Sequence, residues 1–93
     1  MNWRYIVQYK KEWIDMSVSN KIKALLQLHG KKNIELVEYL GFARPQALTN
    51  KFNRGSFSAE DLIKIAAFLD CELAFIVSDT QKITLDMSDI REL

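Results

Sequence analysis

Residues 36–69, LVEYLGFARPQALTNKFNRGSFSAEDLIKIAAFL, decide the fold of this 93-residue chain. Apolar residues recur at helical spacing from residue 36 to residue 40, and Gly41 then ends a short helix. The only proline of the chain suits the first position of a following helix, in which Leu48 and Phe52 lie one turn apart as a buried pair. The pattern predicts two helices joined by a tight turn, the arrangement called a helix-turn-helix.

Flanking segments predict a mainly α bundle of about four helices over residues 17–70. Upstream, NKIKALLQLHG (20–30) has Ser17 and Ser19 as candidate N-caps and a glycine stop, and Asn33 is the predicted cap of the second helix. Downstream, Ser58 opens S-A-E-D, a capping-box variant that starts the fourth helix. The inward positions predicted for the first and fourth helices are Ile22, Leu25, Leu26, Leu28, Leu62, Ile65, Ala66 and Leu69.

Beyond residue 70 the pattern changes from helical to extended. LAFIVS (73–78) and KITLDM (82–87) are rich in β-branched and aromatic residues, and the residues between them predict a hairpin loop. An isolated hairpin is barely stable, and apolar residues lie on both faces of the first strand. We therefore expect the C-terminal segment 71–93 to dimerise. The residues expected in the homodimer interface are Phe75, Ile76, Val77, Ile83 and Leu85.

The N-terminal extension, residues 1–16, has two interpretations. Its aromatic residues fit either a strand or an irregular helix, and it could be a native arm that docks on the body. In the other interpretation, translation begins at Met16. Lys11 and Glu12 can be encoded by AAGGAG, which has the form of a bacterial ribosome-binding sequence, and residues 13–15 supply a spacer.

The net charge of +1 conceals an asymmetry along the chain. Residues 17–57 carry seven basic and two acidic side chains, a net +5, whereas residues 58–93 carry three basic and eight acidic ones, a net −5. Such a distribution is typical of a surface that meets phosphates on one side. The chain has neither a membrane-spanning apolar run nor a signal-peptide pattern, so a cytoplasmic location is expected.

Catalytic and metal chemistry find little support in the composition. Cys71 is the only cysteine and His29 the only histidine, so no internal disulfide can form and no usual metal-ligand spacing exists. The histidine has no nucleophile at useful sequence spacing, and no glycine-rich phosphate loop occurs. We expect a protein that is not an enzyme and needs no metal or cofactor. Cys71 is then a core or boundary residue, and His29 a cation near the carboxyl end of a helix.

The predicted third helix has a polar face opposite its buried pair. Gln and Asn can bond the N6 and N7 edge of adenine, Arg can bond O6 and N7 of guanine, and Thr can contact the methyl group of thymine. On spacing alone the pattern fits either an ordinary solvated helix face or base reading in the major groove of double-stranded DNA. The expected base-reading residues are Arg44, Gln46, Thr49, Asn50 and Asn53. The expected phosphate contacts are Lys31, Lys32, Asn33, Lys51, Arg54 and Ser56.

Residues 17–69 resemble the lambda-repressor-like helix-turn-helix family of Cro and phage repressor relatives, also called the xenobiotic-response-element family. The matching features are L-x-x-Y-L-G at 36–41, A-L-T-N-K-F-N-R-G at 47–55 and F-S-A-E-D-L-I-K-I-A-A-F-L at 57–69. The resemblance implies four or five packed helices, binding of operator DNA as a dimer, and transcriptional control, often repression. It places Gln46, Thr49 and Asn50 at base-reading positions. It places Lys32, Asn33, Lys51 and Arg54 near phosphate contacts.

Two features depart from the family pattern. The segment from Gly41 to Leu48 has one residue more than the usual turn, so the register of individual base contacts stays open by one position. The C-terminal hairpin replaces the fifth helix common in the family, so the family's dimer interface is not carried over.

An alternative function also stays open. On the same fold, a protein-interaction module such as an antitoxin or an inhibitor of a nucleoprotein complex would use its basic face on an acidic protein surface or RNA.

Overall fold

The computed structural model describes residues 17–90, which form four α-helices, a two-stranded hairpin and a final 3-10 turn. The helices are α1 (Val18–Leu28), α2 (Asn33–Leu40), α3 (Pro45–Arg54) and α4 (Ala59–Phe68). The hairpin consists of β1 (Leu73–Ser78) and β2 (Gln81–Leu85), and the 3-10 turn covers Met87–Asp89. The predicted mainly α class with a C-terminal hairpin is confirmed. The extension 1–16, with its proposed start at Met16, and residues 91–93 lie outside the described residues.

Capping side chains fix the starts of two helices as predicted. Ser17 Oγ accepts a hydrogen bond from the Asn20 backbone N–H at 3.1 Å, which satisfies one free donor of the first turn of α1. Ser58 and Asp61 form a reciprocal capping box at the start of α4, with both hydrogen bonds at 3.0 Å. The predicted cap of α2 is wrong by one residue. Lys32 holds the N-cap position, and Asn33 is the first helical residue.

The core lies where α2 packs on α3 and α4 while α1 packs on α3. Leu36 and Leu48 are its most deeply buried large side chains. The prediction that Leu25 and Leu28 face inward is wrong, since Leu25 is exposed and Leu28 is 74% exposed. The inner face of α1 is formed by Ile22 and Leu26, which lie one turn apart. Leu25 and Leu28 lie outside that face. The buried apolar residues are Ile22, Leu26, Leu36, Val37, Leu48, Phe52, Ile63, Ile65 and Leu69.

Ser19 ties α1 to α3 instead of capping a helix. Its side chain is buried, and its hydroxyl donates a 2.7 Å hydrogen bond to the Phe52 carbonyl oxygen. This carbonyl belongs to the last turn of α3, where the final carbonyls of a helix lack intrahelical partners. A buried hydrogen bond of this kind fixes the position of α3 on the bundle.

The hairpin pairs β1 and β2 in antiparallel register, with Phe75 opposite Ile83 and Leu73 opposite Leu85. A two-residue turn at 79–80 joins the strands, and a bulge falls between Ile76 and Ser78. The second strand was predicted over 82–87 but covers 81–85, because the Asp86 side chain caps the 3-10 turn through the Ser88 backbone N–H. In residues 17–90, no helix combines the length and hydrophobicity needed to cross a membrane.

Candidate nucleic-acid interface

The turn between α2 and α3 is built by Gly41 and Phe42. Gly41 has φ +75°, a left-handed conformation that costs least for glycine, and it ends α2. The Phe42 backbone N–H donates to the Val37 carbonyl oxygen at 3.1 Å, and the half-buried ring packs against the core. Arg44 then extends the chain (φ −141°, ψ 146°) before Pro45 begins α3. The turn therefore sets the direction of α3 through backbone bonds and an apolar anchor.

The outer face of α3 carries the predicted base-reading residues. Leu48 is 1% exposed and Phe52 is buried one turn further on, so the opposite face of the helix points to solvent. Arg44, Gln46, Thr49, Asn50 and Asn53 are all exposed. Gln46 Nε2 donates a 3.0 Å hydrogen bond to Asn50 Oδ1. This bond leaves the Gln46 oxygen and the Asn50 amide protons free for a further partner.

The N-terminus of α2 offers free backbone donors beside two lysines. Within residues 17–90, no side chain caps the helix at Lys32, so the first N–H groups of α2 have no side-chain partner there. Lys31 and Lys32 immediately precede the helix and are exposed. The Lys31 ammonium lies 5.5 Å from the centroid of the Phe68 ring of α4, which holds this cation near the surface of the bundle. Free amides, the helix dipole and two cations together favour a phosphate group at this end.

The second group of predicted phosphate contacts lies near the end of α3, where one of the cations already forms an ion pair within the chain. Lys51 Nζ lies 2.9 Å from Asp61 Oδ2. The same carboxylate oxygen accepts the backbone N–H of Ser58, so an acidic side chain already fills the N-terminus of α4. The geometry thus argues against Lys51 as a phosphate contact. Arg54 and Ser56 remain exposed beside it.

These contacts change the pKa of the Asp61 carboxyl group. Partial burial raises its pKa, but the hydrogen bond from Lys51, the backbone bond from Ser58 and the charge of Lys51 outweigh that effect and lower the pKa below its ordinary value. The carboxylate is therefore ionised at neutral pH. It fixes the end of α3 to the beginning of α4.

Four predicted DNA-contacting cations remain unpaired within the described chain. Among residues 17–90, the acidic partners within 4.0 Å belong to Lys51, Lys64 and Lys82. The unpaired cations are Lys31, Lys32, Arg44 and Arg54. The positive charge that the sequence concentrates in residues 17–57 is thus largely available to an external anion.

The predicted dimerisation residues divide into two groups. Phe75, Ile76, Val77 and Ile83 are between 56% and 73% exposed on the hairpin. Leu85 instead is half-buried, and it lines a cavity against α4. The exposed group has no partner among residues 17–90, whereas Leu85 contributes to the attachment of the hairpin.

The structure brings together a pair that sequence spacing missed. His29 has no nucleophile near it in the sequence, but Cys71 Sγ lies 3.3 Å from His29 Nε2. Sequence spacing gave no indication of this contact. The pair forms because the C-termini of α1 and α4 meet, which no local pattern indicates. In the described range, no group of three or more His, Cys, Asp or Glu side chains could hold a metal ion.

Comparisons with protein-family models, curated proteins and solved structures return no significant match to this chain. The resemblance to the lambda-repressor-like family thus stays a prediction from the residues. What the geometry defines is a small mainly α domain with a polar, basic helix face and a hairpin that exposes apolar residues.

Proposed function

We propose that this protein is a sequence-specific DNA-binding regulator of transcription that acts as a homodimer. The observation that carries the proposal is the arrangement of α3. Its inner face is pinned by Leu48 and Phe52, while its outer face presents amides, a hydroxyl and a guanidinium to solvent. These are the groups that hydrogen-bond base edges in the major groove.

The flanks of α3 support the same proposal. The uncapped N-terminus of α2, with Lys31 and Lys32, suits a backbone phosphate on one side of the groove. Arg44 and Arg54 bracket α3 and have no acidic partner within the described residues. In this arrangement phosphate contacts position the domain while α3 reads bases.

The hairpin supplies the proposed dimer contact. Phe75 and Ile83 face each other across the strands and remain exposed, and burying them against a second copy would remove apolar surface from water. A twofold dimer would present two copies of α3 to half-sites about one helical turn apart, roughly 34 Å. The proposed operator is accordingly palindromic.

The test is a selection of bound duplexes from random genomic fragments at near-physiological salt, followed by sequencing. The proposal expects enrichment of one palindromic site and a steep loss of affinity as salt increases. The matched pair of variants is Asn50→Ala on α3 and Asn20→Ala on α1, both at exposed helical positions. Asn50→Ala should abolish enrichment while Asn20→Ala should preserve it. Uniform weak binding by the wild type would overturn the proposal.

A second candidate function rests on the same basic face. Lys31, Lys32, Arg44 and Arg54 have no acidic partner within residues 17–90 and would equally suit an acidic protein surface or RNA, as in an antitoxin or an inhibitor of a nucleoprotein complex. Such a module would bind duplexes without discrimination between sites. The same selection therefore separates the two functions.

A further inference from the structure

Cys71 and His29 meet where the helices join the hairpin. Cys71 lies between α4 and β1, and His29 is the C-cap residue of α1. His29 Nδ1 lies 2.8 Å from the Leu25 carbonyl oxygen, and a carbonyl oxygen can only accept a hydrogen bond. In the neutral ring the proton therefore resides on Nδ1, and the Nε2 lone pair faces Cys71 Sγ at 3.3 Å.

The thiol is thus placed against an oriented base. Its alternative acceptor, the Leu69 carbonyl oxygen, lies further away at 3.6 Å. A nucleophile, an adjacent base and a third group that orients the base are the three parts of an activated thiol. Cys71 is half-buried, so the sulfur is shielded but not sealed from solvent.

Cys71 also lines a cavity of about 250 Å³, of which His29 is not a lining residue. Its volume is below that of drug-sized ligand sites, so it suits a small molecule. Asp86 and Ser88 also line it, and they place polar groups beside an otherwise apolar wall. The apolar and sulfur-bearing residues of the wall are Ile63, Ala66, Ala67, Cys71, Leu85 and Met87.

We propose that Cys71 is a covalent modification site for small, uncharged α,β-unsaturated carbonyl compounds. His29 Nε2 takes the thiol proton, and the sulfur electron pair forms a bond to the β-carbon of the compound. The carbon–carbon π bond breaks and its electrons pass to the carbonyl group, which gives an enolate. The α-carbon then takes a proton from water, and the His29 imidazolium returns its proton to water. The product is a thioether, the imidazole is neutral again, and neither an oxidant nor a leaving group is needed.

The adduct would lie at the joint between the helices and the hairpin, in place of the Cys71–His29 contact. If the hairpin forms the dimer, an adduct there changes how the two copies of α3 are held apart. This regulatory consequence rests on the proposed function, whereas the reactivity of the thiol does not.

The test measures the rate at which N-ethylmaleimide adds to the full chain at neutral pH, followed by intact mass and peptide mapping. We expect one adduct, on Cys71, and none on Cys71→Ser. His29→Gln, which keeps a polar side chain but removes the base, should react about tenfold more slowly or worse. Ala66→Leu narrows the cavity and should also slow the reaction, with circular dichroism confirming that each variant is folded.

Equal rates for the wild type and His29→Gln would overturn the assignment of the base. Equal rates for folded Ala66→Leu and the wild type would overturn the cavity as the binding site. The affinity of the adduct for the selected duplex then tests the regulatory consequence, which an unchanged affinity would overturn. A failure of the protein to select DNA would instead overturn the proposed function and leave the reaction rates intact.

Discussion

The hydrogen bond between Gln46 and Asn50 allows a quantitative test of base reading. The two amides are exposed on successive turns of α3 and are joined at 3.0 Å. We consider Gln46→Ala, Asn50→Ala and the double variant. Both side chains lie outside the core, so none of the three substitutions should disturb the Leu48 and Phe52 anchors.

The expected effects on stability and on binding differ widely. An exposed pair four residues apart on a helix contributes about 0.2–0.5 kcal/mol to stability, and alanine restores part of that loss through its helix propensity. A side chain that makes a good bidentate contact contributes about 1–3 kcal/mol of discrimination, or roughly a 5- to 150-fold change in affinity. Specific binding should therefore collapse while the unfolding free energy hardly changes.

The double variant tests whether the two amides act as a unit. If Gln46 holds Asn50 in its reading position, removing either side chain disables both. The loss in the double variant should then fall short of the sum of the single losses by about 0.5–3 kcal/mol. Independent readers would instead give additive losses.

The assay is a fluorescence anisotropy titration with the selected duplex and with a scrambled duplex, beside urea denaturation of each variant. Asn20→Ala and Gln27→Ala on the exposed face of α1 are the matched controls, and they should leave both quantities unchanged. Equal losses on the selected and the scrambled duplex would refute base reading by this pair. Base reading by this pair would also be refuted if the double variant bound the selected duplex with wild-type affinity.

Three further predictions concern the scaffold and the dimer. Leu48→Ala removes a fully buried anchor of α3 and should cost about 2–5 kcal/mol of unfolding free energy in urea denaturation. Because its folded-state pKa is lowered, Asp61 stabilises the fold above its ordinary pKa of 3.8, and this contribution is lost as the pH falls through the folded-state value. Urea denaturation at neutral and acidic pH should show that component in the wild type and not in Asp61→Asn. Phe75→Ser with Ile83→Ser should convert a dimer to monomers in sedimentation with helical circular dichroism retained, whereas the exposed control Thr84→Ser should stay dimeric.

Most of the fold that could be predicted from the sequence depends on residues that act on their near neighbours in the chain. Ser17, Gly41 and the Ser58–Asp61 capping box act within one helical turn, so their residue types reveal them without knowledge of the tertiary structure. The buried pair of α3 follows from helical period in the same way. The N-cap and the first helical residue are adjacent in the sequence, so residue type alone did not separate them. Asn33 was predicted as the N-cap of α2 but is its first helical residue.

Contacts between distant segments could not be predicted from local patterns. The Lys51–Asp61 ion pair depends on the angle between α3 and α4, and the sequence suggested only a free cation. Cys71 and His29 are 42 residues apart and meet because two helix ends converge. The exposure of Leu28 has a different origin. Leu28 is two residues beyond Leu26, about 200° further round a helix of 3.6 residues per turn, so helical period itself turns it away from the inner face of α1.

The proposed function requires that the outer face of α3 enters the major groove. The most direct measurement is an NMR titration of isotope-labelled protein with the selected duplex, which records intermolecular contacts between protein protons and base protons. We expect contacts from the side chains of Gln46, Thr49 and Asn50 to major-groove base protons, with backbone shifts at Lys32 and Asn33. Contacts confined to the hairpin or to α1, with the α3 signals unmoved, would contradict the proposed function.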